Sequence, residues 1–137
     1  MVGLIRSGLV LGVLFVVVMG VAPTAGAAQS GFAFGRVGGN IRPYTVTVAS
    51  AGGVGTSGAV QVAKTHVTPV QLASLNRIAR DTHFATLSAT TSCSGTLPDV
   101  AATFVRVGAH TVRVHGACMP GYQRLLKALQ AAVGIRP

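Results

Sequence analysis

The chain has 137 residues, eleven Lys and Arg against two acidic residues, a net charge of +9 and no tryptophan. Half of its residues are hydrophobic, which excludes a disordered polyelectrolyte, and the length leaves room for one domain of ordinary size. Glutamate is absent and Asp81 and Asp99 are the only acidic side chains, so paired-carboxylate catalysis would require those two residues to meet.

The N-terminus carries one basic residue, Arg6, then an apolar run from Leu9 through Val21 interrupted only by glycines, then Pro23-Thr24-Ala25-Gly26-Ala27-Ala28. This is the pattern of a secretory signal peptide over residues 1–27, with cleavage expected after Ala27 and the bond after Ala28 as the alternative. A retained anchor needs about 20 apolar residues; this run is shorter and ends at a proline beside small residues. No cysteine follows it, so nothing points to a lipid-modified N-terminus. The expectation is a protein secreted or held in the cell wall or envelope, with no stable membrane span after processing.

About 110 residues remain after the leader. Residues 28–42 are glycine-rich and read as a loose N-terminal arm, with Phe32 and Phe34 on one side of a short extended segment able to add an edge strand. Residues 43–137 read as a single α+β domain. Its first strand is Tyr44-Thr45-Val46-Thr47-Val48, with Pro43 tolerated at the start. Ala51-Gly52-Gly53-Val54-Gly55 turns the chain; it lacks the lysine and helix that a phosphate-cradling loop requires. The return strand is expected at Ala59-Val60-Gln61-Val62-Ala63. Thr68-Pro69-Val70-Gln71 then starts a helix with a threonine N-cap, a proline in the first turn and a glutamine placed for a capping box. Leu72, Leu75, Ile78 and Ala79 share its apolar face. His83 to Leu87 leaves the helix, and a polar loop of Ser and Thr leads to Cys93.

The stretch from Cys93 to Cys118 reads as a β-hairpin. Residues 100–107 and 111–115 alternate, with Gly108-Ala109-His110 between them. Placing Val107 opposite Val112 and Val105 opposite Val114 gathers four valines on one face. Phe104, Arg106, Arg113 and His115 then take the other face, with Arg106 opposite Arg113. Cys93 and Cys118 flank the open end of the hairpin and are expected to form a disulfide, as two cysteines in an exported protein normally do. Pro120 opens a second helix in which Tyr122, Leu125, Leu126, Leu129, Ala132 and Val133 fall in one arc, and Gly134 ends it. The resulting order is ββαββα: a four-stranded antiparallel sheet with two helices on one face.

This order, with the Pro43-Tyr44 strand, the helix running out through Phe84 to Leu87, Leu97-Pro98-Asp99 before the third strand and His115-Gly116-Ala117-Cys118 before the last helix, resembles a family of small exported bacterial domains of unknown function, mostly actinobacterial. The chain lacks the lipobox that some members carry and has His83 where an aromatic is usual. The resemblance implies a compartment and a fold and supplies no activity.

For function, the residues favour a non-catalytic binding or interaction domain over an enzyme. Ser92 or Ser94, His115 and Asp99 are nominally the parts of a small secreted hydrolase, yet no nucleophile motif flanks either serine. His110 and His115 lack acidic or thiol companions for a metal, and no cofactor motif is present. Phe104 among Arg106, Arg113 and His115 is the candidate binding face, because interleaved aromatic and cationic side chains suit a polyanion such as nucleic acid or an anionic cell-wall polymer. An envelope protein is the other class of partner.

Overall fold

The structure, a computed structural model, describes residues 31–135; the leader and its cleavage bonds lie outside those residues. Phe-Ala-Phe-Gly-Arg-Val forms strand β1 (Phe32–Val37), which is followed by β2 (Tyr44–Val48), β3 (Val54–Gly58) and helix α1 (Pro69–Asp81). After a 3-10 turn at Phe84–Thr86 come β4 (Thr90–Ser92), β5 (Ala102–Val107), β6 (His110–His115) and helix α2 (Pro120–Val133). The strands make one six-stranded sheet in the order β3-β2-β1-β5-β6-β4. All pairings are antiparallel except that of β4 with β6, which is parallel. The α+β class and the two-helix count therefore agree with the sequence reading, whereas the four-stranded, wholly antiparallel sheet is corrected to six mixed strands.

The largest correction concerns the glycine-rich segment. Residues 32–37 are not a loose arm but an interior strand, paired with β2 on one side and β5 on the other. The physical reason lies in the alternation. Phe32 and Phe34 point into the core and are 2% and 0% exposed. Ala33 between them and Gly35 after Phe34 present almost no side chain to the opposite face. Glycine content suggested a flexible arm, but two buried phenylalanines at strand spacing outweigh it.

The second shift is in the β2–β3 hairpin. Ala49 and Gly53 close a tight turn, with the Ala49 N–H donating to the Gly53 carbonyl at 2.8 Å and Gly52 in the left-handed region at φ 97°. Val54 consequently lies opposite Val48, so the return strand starts about five residues earlier than the alternation at Ala59–Ala63 suggested. Val60 and Val62 still meet the core, half-buried, where the chain passes the end of α2. There Ala63 and Lys64 donate their N–H groups to the Gly134 and Val133 carbonyls at 3.1 Å each.

Both helices follow their local signals. The Thr68 side chain accepts from the Gln71 N–H at 3.2 Å, and Gln71 Oε1 accepts from the Thr68 N–H at 3.0 Å, completing the capping box. Leu72, Leu75 and Ala79 are buried, with Ile78 half-buried beside them. Pro120 sits in the first turn of α2, Gly134 ends the helix with φ 67°, and all six residues of the expected arc are buried. The two helices pack side by side against Phe32, Phe34, Val46, Val48, Val105, Val112 and Val114, forming a single core. Among the described residues no helix is long and apolar enough to cross a membrane.

Candidate functional site on the uncovered sheet face

Because side chains alternate along a strand, the residues that do not face the helices line up across the opposite face of the sheet. One row reads Gly55, Thr47, Ala33, Arg106, Thr111 from β3 to β6. The next reads Ser57, Thr45, Gly35, Phe104, Arg113 and, on β4, Thr90. Neither row contains a carboxylate, and Asp81 and Asp99 lie in α1 and in the loop before β5. Arg106, Arg113, Thr47 and Thr111 are exposed, and Phe104 is half-buried.

Phe104, Arg106 and Arg113 are thus brought together on one face, but in a different register from the one the sequence suggested. Val105 pairs with Val112, Val107 with His110, Phe104 with Arg113 and Arg106 with Thr111. Two residues, Gly108 and Ala109, separate the paired Val107 and His110, where the expected Val107–Val112 pairing leaves four; with Gly108 at φ 58°, the tighter turn moves the pairing by one step along each strand. The expected Arg106–Arg113 opposition does not occur. The two like charges sit diagonally, and each guanidinium has an uncharged neighbour directly across, which removes the repulsion that direct opposition would have cost.

Phe104 owes its half-burial to β1. A Cβ at Gly35 would stand 2.9 Å from Phe104 Cε1 and would clash with the Tyr44 carbonyl oxygen. The aromatic ring therefore leans across the bare backbone of Gly35, and the face is walled by threonines of β2 on one side and by Phe104 and Arg106 on the other. Ala33 and Gly35 are parts of the site that sequence reasoning missed; the alternation of the two phenylalanines with these small residues was its available signal.

His115 belongs to the same face but to its far end, where its strand partner is Ser92. Its Nε2–H donates to the Val100 carbonyl at 2.7 Å, and the carbonyl can only accept, so this nitrogen carries the proton. The ring pins the loop between β4 and β5. Among the described residues no hydrogen bond joins it to Ser92, Ser94 or Asp99; Thr96 and the Cys93 N–H instead use its backbone carbonyl. His110 is engaged in the same manner, with Nε2–H donating to the Leu87 carbonyl at 3.1 Å.

Cys93 and Cys118 form the expected disulfide, with Cα atoms 5.6 Å apart. Its setting differs from the one expected. Thr90–Ser92, read as a polar loop, is an edge strand running parallel to β6, and the Cys93 N–H continues that ladder by donating to the His115 carbonyl at 2.8 Å. The bridge consequently fastens the end of β4 to the segment entering α2. Gly116, at φ 103°, gives the bridge room: a Cβ there would come within 2.7 Å of Cys93 Cβ.

Comparison of the chain with protein-family models, with curated proteins and with solved structures finds no match.

Proposed function

We propose that the protein is an exported, non-catalytic binding domain that presents the uncovered face of its sheet to an anionic polymer. The observation that carries this reading is the asymmetry of the sheet: both helices cover one face, while the other displays Phe104, Arg106 and Arg113 among threonines, with no carboxylate in its rows. Desolvated aromatic area beside guanidinium groups supplies stacking and charge together. The net charge of +9 draws a polyanion in from a distance. Export is supported by the leader pattern and by the disulfide, a bond that persists in oxidising compartments. The resemblance to small exported bacterial domains, mostly actinobacterial, accords with the same compartment. A non-catalytic role is supported by the His115 ring, which among the described residues is bonded to the Val100 carbonyl and to neither of the serines near it.

The test is binding of the mature protein to oligo-dT and to inorganic polyphosphate over a salt series. Affinity for both should fall steeply with salt, and Arg106→Ala or Arg113→Ala should each reduce the slope of log affinity against log salt by about one. Phe104→Ala should weaken oligo-dT by about 1–3 kcal/mol if a base stacks on the ring, and polyphosphate much less. Salt-insensitive binding, or slopes unchanged in both arginine variants, would refute the assignment.

A further inference from the structure

A second concavity lies on the helix-covered side, at the hairpin end of the sheet, and is separate from the face just described. The last turn of α1, the 3-10 turn and the tips of β5 and β6 enclose about 420 Å³, within the range small organic ligands occupy. Its floor is apolar: Phe84 is 1% exposed and Val107 half-buried. Its rim is polar and cationic, with Arg80, His83, Asn76 and His110, and among the described residues no carboxylate lines it.

Several of these groups are held in place by bonds unrelated to solvent. His110 donates to Leu87 as described, and its ring meets Phe84 edge-on, centroids 5.7 Å apart at 79°. Asn76 Nδ2–H donates to the Leu72 carbonyl at 2.9 Å, leaving the amide oxygen as the free end. His83 has φ 50°, the one non-glycine residue with positive φ among those described. That conformation costs roughly 1–2 kcal/mol in a residue with a Cβ. It is fixed by the His83 N–H donating to the Arg80 carbonyl at 2.9 Å and by the Thr86 N–H and hydroxyl both donating to the His83 carbonyl. The strained turn sets the imidazole three residues beyond the exposed Arg80, over an apolar floor. Strain of this kind persists where the surroundings over-determine it and concentrates at binding sites.

We infer that this cavity binds a small organic acid with an apolar or aromatic body, its carboxylate taken by Arg80 and His83 and its body lying on Phe84 and Val107. A guanidinium receives a carboxylate through two parallel N–H bonds. With no acidic side chain in the wall, nothing within the cavity competes for it.

Isotopically labelled mature protein titrated with sodium benzoate, and separately with benzyl alcohol, tests the inference by amide chemical shifts. Benzoate should shift the amides of Ala85, Val107 and His110 in a saturable manner, and benzyl alcohol should bind about tenfold more weakly, the equivalent of one charge-assisted pair. Arg80→Gln, an exposed change checked for fold by its thermal melt, should lower benzoate affinity about tenfold, to the level of the alcohol. Phe104→Ala and Arg113→Ala should leave benzoate binding unchanged, which separates this cavity from the sheet face. Equal binding of acid and alcohol, an unaffected Arg80→Gln variant, or shifts that map to Arg106 and Arg113 would each overturn it.

Discussion

Tyr122 shows how one side chain ties the helical layer to the sheet. It is completely buried, and its hydroxyl donates to Thr103 Oγ1 at 3.0 Å, joining the first turn of α2 to β5. Burial pushes the phenol up from 10.0 to about 12, and the bond to Thr103 offsets only part of that rise. Between pH 10 and about pH 12 the unfolded chain loses this proton while the folded chain keeps it. The contribution to stability is therefore whole below pH 10 and declines as pH rises through the folded value. Tyr122→Phe should lose about 1 kcal/mol at pH 8, the worth of one hydrogen bond. It should also show a shallower decline between pH 8 and pH 11.5, and urea midpoints of both proteins at the two pH values check it. On the uncovered face, Gly35 is the corresponding single-residue control, since the Phe104 ring lies where its side chain would be.

Among the elements, β1 decides the architecture. It joins the β2–β3 hairpin to the β5–β6 hairpin, and without it the sheet would split into two parts with new open edges. Phe32 and Phe34 alone contribute roughly 3–6 kcal/mol by burial, a large share of the stability of a domain this size. Deleting residues 1–42 should give a chain that fails to fold, whereas deleting residues 1–27 should preserve the cooperative thermal transition. Circular dichroism melts of the two truncations distinguish this from a dispensable arm. The helices are less informative about architecture, because their capping residues and apolar arcs specify them locally and either could be placed on many sheets.

For the whole molecule, the disulfide closes the loop that contains the β5–β6 hairpin, and it fastens the shortest strand of the sheet. With a sequence separation of 25, the chain-entropy model gives roughly 3–4 kcal/mol. The Cys93→Ala/Cys118→Ala double variant should be destabilised by about that amount in urea titration. Loss should begin at β4, whose three residues have one neighbouring strand. Faster hydrogen exchange at the Arg113 amide, which donates to the Ala89 carbonyl at 2.8 Å, should precede global unfolding.

The local features were legible in the residues themselves. Thr68-Pro69-Val70-Gln71, the α2 arc, the valines of the β5–β6 hairpin and the cysteine pairing each rest on short-range chemistry: caps, periodicity and compartment. What the sequence by itself determined is thus the identity of the helices, the split of the hairpin into apolar and basic faces, and the excess of cations over carboxylates. Tertiary structure alone decided that Phe32–Val37 is an interior strand, that Thr90–Ser92 joins β6 in parallel, and that the Phe104 ring lies over Gly35. These depend on pairing between segments far apart in the chain, where the favourable free energy comes from a shared core and a shared hydrogen-bond ladder and not from any preference of the segment in isolation.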